Sequence, residues 1–279
     1  MLFVLSLVVM VGCEKEYESI QVEDERNIQE YISRNGLNMQ QYDTTGIYYS
    51  ITKTPTGPPL DYTEQLPLIY TVKTLDGSFS REDTIANHYG GYFGYYSPAA
   101  LREVVMANLK NQGGSIRIIV PSRKAYGRNG NTSLGIPGNA SLDYTVTVLD
   151  KSKLKEYEDA MIRNFISREG LTGFTKTEDN IYYKISAPGT GETIHADSVL
   201  TINYTGRLLN GTEFETREGG LLGLSQAIQG WQKIIPLIKV GGSVRFILPS
   251  QFGYGLEGSN TIPGFSPLDF DVTVTDQTD

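Results

Sequence analysis

The chain contains an internal repeat, and this feature constrains its fold more than any other. Five segments of the first half recur in the second half in the same order, with small changes in loop length. The paired segments are YISRNGL (31–37) with FISREGL (165–171), GIYYSITK (46–53) with NIYYKISA (180–187), YTVKTLDG (70–77) with YTGRLLNG (204–211), IIVPSRKAYG (118–127) with FILPSQFGYG (246–255), and IPGNASLDYTVTV (136–148) with IPGFSPLDFDVTV (262–274). A period this long indicates whole domains rather than solenoid repeats. We predict one domain over residues 20–150 and a second over 151–279.

Each copy is expected to begin with a helix. In the second copy the apolar residues fall at helical spacing, and Gly170 is suited to end the helix. These apolar residues are Leu154, Tyr157, Met161, Phe165 and Ile166. The same helix is expected to connect the two copies.

The remainder of each copy has the composition of β-strands. Asn210-Gly211 lies between two extended runs and predicts a hairpin. The run LDFDVTV predicts a strand with Leu268, Phe270, Val272 and Val274 towards the core and Asp269, Asp271 and Thr273 outward. A short helical piece is expected around 229–238, where Pro236 limits its length. The predicted fold class is α+β: in each copy, a half-buried antiparallel sheet wrapped on one short helix.

The composition argues against several functions. The net charge is −8, whereas a nucleic-acid-binding surface requires a basic stripe, so no nucleic-acid partner is expected. The chain has one cysteine, Cys13, and two distant histidines, which rules out an intrachain disulfide and gives no metal-ligand spacing. No nucleotide-binding or nucleophile motif is present. We therefore expect no cofactor and no metal.

Residues 1–13, MLFVLSLVVMVGC, are typical of a secretion signal. The apolar run from Leu2 to Val11 is too short to span a bilayer as a helix. The stretch VMVGC resembles a bacterial lipobox, although no Lys or Arg precedes the apolar run and Met10 stands where leucine is preferred. We predict lipidation of Cys13 and a location in the cell envelope, anchored to the outer membrane and facing either the periplasm or the cell surface. The alternative is an ordinary signal peptide with an incidental cysteine.

The second copy resembles the FKBP-type peptidyl-prolyl cis–trans isomerases. The resemblance rests on YTGRLLNGTEF, AIQGW, VGGSVRFILPSQFGYG and IPGFSPLDFDVTV, in family order over about 80 residues. It implies two tandem FKBP-like domains, each preceded by a helix as in lipoprotein members of the family. The acidic residues that follow Cys13 resemble lipoproteins of the Bacteroidetes type.

The resemblance also implies a site. The family has an apolar bowl of aromatic rings floored by a tryptophan, which corresponds here to Trp231, the only tryptophan of the chain. The implied site residues are Tyr204, Phe214, Glu215, Ile228, Trp231, Tyr254, Ile262 and Phe270. The backbone N–H at Ile262 and the hydroxyl of Tyr254 are expected to receive carbonyl groups of a proline-containing polypeptide segment. Without the family context, Tyr204, Phe214 and Phe270 are each better explained as sheet core than as site residues.

The second copy departs from the family pattern at two places that bear on activity. Glu215 stands where the family has aspartate, which puts its hydrogen bonding in question. Glycines in REGGLLG (217–223) replace aromatic residues, so one wall of the bowl is expected to be missing.

The first copy departs further, and we expect it to lack isomerase activity. Glu103 replaces the tryptophan and Ala100 the isoleucine, while five pocket positions are retained: Tyr70, Phe79, Tyr126, Ile136 and Tyr144. A glutamate on an apolar floor would have to be protonated, paired or turned to water. The aromatic segment 80–98 either covers the former pocket or forms a mobile surface loop.

Three functions remain open from the sequence. The first is a monomeric prolyl isomerase of the envelope that assists folding through the second domain. The second is a non-catalytic binding or chaperone lipoprotein, favoured by Glu215 and the glycine-rich wall. The third is a structural spacer, which exposed aromatic residues in 80–98 argue against.

Overall fold

Two separate antiparallel sheets organise the chain. The structure is a computed structural model that describes residues 18–278. We call the elements up to residue 148 the first unit and those from residue 154 onward the second unit.

The first unit contains two helices and a seven-stranded sheet. Its elements are α1 (Ile20–Arg34), β1 (Gln40–Gln41), β2 (Tyr48–Lys53), β3 (Leu68–Thr74), β4 (Ser80–Arg81), β5 (His88–Tyr89), α2 (Ala99–Asn108), β6 (Ser115–Val120) and β7 (Leu142–Val148). The sheet order is β1-β2-β6-β7-β3-β4, and β5 also pairs with β3.

The second unit repeats this order with one simplification. Its elements are α3 (Leu154–Arg168), β8 (Thr175–Lys176), β9 (Tyr182–Ala187), β10 (Val199–Leu208), β11 (Glu213–Gly223), α4 (Gln229–Ile234), β12 (Ser243–Leu248) and β13 (Leu268–Thr278). The six strands are ordered β11-β10-β13-β12-β9-β8. The long strand β11 therefore occupies the edge that the two short strands β4 and β5 share in the first unit.

Local sequence signals explain where these elements begin and end. Ser19 caps α1 by accepting a hydrogen bond from the Val22 N–H. Helix α3 ends before Gly170, whose φ of +61° is readily available only to glycine among the common residues. The predicted hairpin is present between β10 and β11, where the Gly211 N–H donates to the Leu208 carbonyl.

The expected α+β fold, with a sheet on a short helix and a preceding helix, is confirmed, and the preceding helix of each unit packs on the opposite face of the sheet. On one face of the second sheet, α4 packs over the core strands with Trp231 and Ile234. On the opposite face, α3 packs Ile162 and Phe165 against Ile247 of β12. Helix α1 covers the corresponding face of the first sheet with Ile28 and Tyr31.

The second helix layer also changes the environment of Asp269. Its side chain points away from the core, as the alternation in β13 predicts, but it is 1% exposed rather than solvated. Arg245 binds its carboxylate with two hydrogen bonds of 3.0 and 2.7 Å. Burial raises the pKa of Asp269, and the Arg245 charge acts in the opposite direction. Such a pair satisfies a buried carboxylate that would otherwise be strongly destabilising.

The same polar arrangement recurs in the first unit. Asp143 is 4% exposed and accepts hydrogen bonds from Arg117 at 2.9 and 2.6 Å. Tyr31 of α1 donates a further hydrogen bond to Asp143 at 2.8 Å. The repeat in the sequence is therefore matched by a repeat of buried ion pairs beneath the covering helices.

Within residues 18–278, no helix is both long enough and apolar enough to cross a bilayer.

Candidate functional site

A cavity of about 300 Å³ lies in the second unit, between β10, β11 and α4. It brings together six of the eight residues expected at the site: Tyr204, Glu215, Ile228, Trp231, Tyr254 and Phe270. Phe214 lies behind the cavity wall, with its ring 5.7 Å from that of Phe270 at 85°. Ile262 is buried in the same apolar cluster, beside the cavity rather than on its surface.

Trp231 forms the base of this cavity and is fixed by three surrounding rings. Its indole is 4% exposed and stands edge-to-face to Tyr204, Phe270 and Phe246, at centroid distances of 5.0, 5.3 and 5.9 Å. Edge-to-face pairs of this kind contribute about 0.5–1.5 kcal/mol each beyond the burial of area. The indole is thus a rigid, preformed surface.

Two glycines allow the rings to approach so closely. A Cβ at Gly206 would lie 2.6 Å from the Phe214 ring and 2.8 Å from the Phe270 ring. A Cβ at Gly230 would lie 2.3 Å from Leu248 Cδ2, so α4 rests directly on β12. The absence of side chains at these two glycines therefore helps to determine the shape of the cavity.

The wall formed by residues 217–223 is present, contrary to the expectation that it would be missing. This segment is the end of β11, which pairs with β10 along its length, and it contributes Arg217, Leu221 and Leu222 to the cavity lining. Leu221 is 69% exposed at the rim. The cavity of the second unit therefore has an aliphatic and cationic wall in place of an aromatic one.

Glu215 lines the cavity and acts on both tyrosines of the site. Burial, then a hydrogen bond to Glu215 and its charge, raise the pKa of Tyr204 well above the usual range. Burial and the same carboxylate also raise the pKa of Tyr254. Both phenols remain protonated at neutral pH, so each can donate a hydrogen bond.

Two N–H groups at the site have contrasting partners. The Trp231 Nε1–H is buried and has no hydrogen-bond partner within the part of the chain that the structure describes. The Ile262 backbone N–H, expected to receive a ligand carbonyl, donates to the Ser259 carbonyl at 2.7 Å. A ligand carbonyl at Ile262 would therefore have to share or replace this bond.

The first unit contains a related cavity of about 380 Å³. All five retained positions line it, namely Tyr70, Phe79, Tyr126, Ile136 and Tyr144. Glu103, however, points to solvent on α2. Exposure to water is one of the three outcomes expected for a glutamate at that position.

Tyr96 also lines the first cavity, although the alignment of the two copies does not place it there. Its ring is 4% exposed and lies 6.2 Å from Tyr70 and 5.0 Å from Tyr89. Burial raises the pKa of Tyr96 far above its ordinary value. The sequence comparison missed this residue because Tyr96 lies in the extra length of segment 80–98, which has no counterpart in the second copy. The run GGYFGYYSP was the available signal, since it carries more aromatic residues than a surface loop requires.

Two other expectations concern the lipidation of Cys13 and the binding of a metal. Cys13 lies outside the described residues. Within residues 18–278, no cluster of three or more His, Cys, Asp or Glu side chains could hold a metal ion.

The fold and the cavity define an α+β unit with a preformed, ring-lined apolar pocket. Residues 190–275, which contain this pocket, match the model of the FKBP-type peptidyl-prolyl cis–trans isomerase family. The region that holds the pocket is therefore similar to proteins of that family.

Individual relatives are similar to part of the chain. The chain is 32% identical over 139 residues to the FKBP-type peptidyl-prolyl cis–trans isomerase FkpA of Aeromonas hydrophila, covering 46% of this chain and 52% of that protein. It is 38% identical over 105 residues to a probable FKBP-type isomerase of Haemophilus influenzae, covering 36% and 44%. The crystal structure of FkpA from Escherichia coli superposes with a TM-score of 0.40 at 26% identity, covering 46% of this chain and 64% of that one. The chain thus spans about half the length of the first two relatives.

Proposed function

We propose that the protein is a peptidyl-prolyl cis–trans isomerase that acts through the cavity of the second unit on proline-containing polypeptide segments. The observation that carries this proposal is the Trp231 indole, held by three rings at the base of an apolar cavity inside the region that matches the family model. The proposed site residues are those expected from the sequence. Tyr204, Ile228, Trp231 and Phe270 would form the bowl, Phe214 and Ile262 would support it, and Tyr254 and Glu215 would supply its polar groups.

Such a pocket can accelerate prolyl rotation without an acid, a base or a nucleophile. The rotation costs about 18–20 kcal/mol because the amide loses its resonance in the twisted state. The twisted amide is less charge-separated than the planar one, so a water-poor apolar cavity disfavours the planar form relative to it. Contacts that fit the twisted prolyl ring on Trp231 add binding energy that is realised only in the transition state.

The polar groups of the site would orient the substrate. The Tyr254 phenol lines the cavity and remains a hydrogen-bond donor, whereas the Ile262 N–H is already bonded to Ser259. We therefore assign the principal contact with the substrate carbonyl to Tyr254.

We expect Tyr254→Phe to lower kcat/KM roughly 2- to 12-fold, because a neutral hydrogen bond contributes about 0.5–1.5 kcal/mol. The full chain would be assayed by exchange spectroscopy on an X–Pro peptide, without a coupled protease. The matched control is Tyr126→Phe, which makes the same change at the repeat-related position of the first unit and should leave kcat/KM unchanged. Loss of activity in the Tyr126 variant would contradict the assignment of catalysis to the second unit.

A second function, binding of extended segments without catalysis, is favoured by the engaged Ile262 N–H and by the aliphatic wall of β11. The same preparation distinguishes the two, because Trp231 is the only tryptophan and its fluorescence reports on occupancy of the second cavity. A saturable fluorescence change without acceleration of the exchange rate would support the binding function and overturn the catalytic one.

The N-terminal segment supports a further proposal, that the protein is a monomeric lipoprotein of the cell envelope anchored through Cys13. Acyl chains contribute about 0.8 kcal/mol per buried CH₂, so several chains on one residue are enough to hold a protein at a membrane.

In a bacterium that processes lipoproteins, we expect the chain to sediment with the membranes and to incorporate a labelled fatty acid. Cys13→Ala should abolish both, whereas Ser6→Ala in the same segment should alter neither. Membrane association that persists in the Cys13 variant would contradict the anchor.

A further inference from the structure

The two units are in contact through a segment of the first unit that lies on a loop of the second. We call residues 83–92 the brace segment and residues 255–265 the tip loop. The ring of His88 stacks on that of Phe265 at a centroid distance of 4.0 Å and an angle of 8°. His88 is 7% exposed and Phe265 is fully buried, so this contact is as enclosed as a protein core.

His88 also makes a polar contact with the backbone of the tip loop. Its Nδ1 lies 3.1 Å from the Gly264 carbonyl oxygen, which can only accept a hydrogen bond, so Nδ1 carries the proton. Burial lowers the pKa of His88 to about 4, which keeps the ring neutral near pH 7. A neutral ring can stack and donate at once without burying a charge.

The backbones of the two segments approach each other closely at Gly90. A Cβ at this position would lie 1.7 Å from the Leu256 carbonyl oxygen, so only glycine allows the observed approach. A Cβ at Gly264 would likewise lie 2.9 Å from the Gly90 nitrogen.

Side chains along the contact reinforce it. Gln65 donates a hydrogen bond to Glu257 of the tip loop. Ile85 packs against the apolar clusters of the second unit. Asn210, in the turn between β10 and β11, donates to Asp83.

The tip loop contains two residues in an unfavourable backbone conformation. Asn260 and Phe265 have φ values of +47° and +41°, in the left-handed region that L-residues seldom occupy. Such a conformation persists only where the surroundings fix it. Part of what encloses Phe265 comes from the first unit, through the His88 ring.

The position of the tip loop bears directly on the cavity of the second unit. Tyr254, which lines that cavity, immediately precedes the loop, and Ile262 lies within it. The loop is closed by the bond from the Phe265 N–H to the Gly255 carbonyl at 2.8 Å. Displacement of residues 256–264 would therefore move Ile262 and the backbone next to Tyr254.

We propose that the first unit acts as a positioning element for the second: His88 and Gly90 hold the tip loop in the conformation that shapes the prolyl pocket. The consequence for catalysis rests on the proposed isomerase function, while the structural effect does not. This role gives the aromatic insertion of the first copy a second use, besides lining its own cavity.

The test is Gly90→Ala in the full chain, because one methyl group at this position must push the brace segment from Leu256. We expect the amides of residues 256–264 to exchange hydrogen roughly tenfold faster, and kcat/KM to fall roughly tenfold, since small displacements of positioning groups are costly to rate. The matched control is Gly91→Ala, where the nearest atoms to the new Cβ belong to the Tyr89 side chain of the first unit. It should leave exchange in the tip loop unchanged.

His88 provides a second, independent perturbation. His88→Ala should accelerate exchange in the tip loop as Gly90→Ala does, and His88→Phe should restore much of the protection because it retains a ring to stack on Phe265. Unchanged exchange in both the Gly90→Ala and His88→Ala chains would overturn the proposal, as would an increase of kcat/KM in either. If the unaltered chain proves not to be an isomerase, only the proposed function fails, and the exchange measurements still decide whether the brace exists.

Discussion

Replacing Trp231 with alanine is expected to lower the unfolding free energy of the second unit by about 3–5 kcal/mol and to remove isomerase activity. The indole is 4% exposed and touches three rings, so its loss leaves a void that a rigid aromatic cluster cannot close. The same change removes the surface on which the prolyl ring is proposed to rest. Stability would be followed by calorimetry and by far-ultraviolet circular dichroism, because the variant has no tryptophan to report by fluorescence.

The repeat supplies the control for this experiment. Glu103 occupies the sequence-related position in the first unit but is exposed on α2, so Glu103→Ala should change stability by no more than about 0.5 kcal/mol. Trp231→Phe tests the two effects separately, since it keeps a ring in the cluster while reducing the area of the floor. We expect it to recover most of the stability but only part of kcat/KM. A Trp231→Ala chain with unaltered stability and rate would show that the indole is neither a core residue nor the floor of the site.

The residues of the candidate site were expected from the resemblance to the FKBP-type family, and strand alternation and the hairpin signal place several of them on one side of the sheet. The alternation in LDFDVTV identifies the inward face of β13, which places Phe270 beneath the cavity. The hairpin at Asn210-Gly211 fixes the pairing of β10 with β11, and hence the side of the sheet on which Tyr204 and Glu215 lie. These are local rules, and local rules hold where a single strand or turn decides the outcome.

The features that sequence reasoning missed all depend on contacts between distant segments. The buried state of Asp269 follows from the packing of α3 over the outer face of the sheet, which alternation within one strand does not reveal. Tyr96 enters the first cavity from an insertion, so aligning the two copies could not find it. The wall at Leu221 and Leu222 depends on β11 continuing through three glycines, supported by its pairing with β10.

Glu158 is also buried by a contact between distant segments. Its burial makes the stability of the second unit depend on pH. It lies on α3, is 2% exposed, and accepts hydrogen bonds from the Ser250 N–H at 2.7 Å and the Ser250 hydroxyl at 2.6 Å. Burial raises the pKa of Glu158 to about 7, and the two bonds from Ser250 act in the opposite direction without compensating fully. The folded protein therefore favours the protonated acid more than the unfolded chain does.

The sign of the pH effect follows from this preference. A carboxyl whose folded pKa lies above its unfolded value of 4.5 contributes its full stability below that value and loses it as the pH rises to about 7. At about 1.4 kcal/mol per pKa unit, the loss is on the order of 3 kcal/mol. Glu158→Gln cannot ionise, yet its amide can accept from the Ser250 N–H and donate to the Ser250 hydroxyl. We expect the variant to gain stability relative to the unaltered chain as the pH rises.

The measurement is urea unfolding followed by Trp231 fluorescence, which reports on the second unit alone because the chain has no other tryptophan. The unfolding free energies of the Glu158→Gln chain and the unaltered chain would be measured at about pH 4.5, 6 and 8. From the lowest to the highest of these values, their difference should shift by roughly 3 kcal/mol in favour of the variant. Glu156→Gln, an exposed change on the same helix, controls for the altered charge of α3 and should show no such trend. A difference that stays constant across this range would mean that Glu158 keeps an ordinary pKa, and that the bonds from Ser250 fully offset its burial.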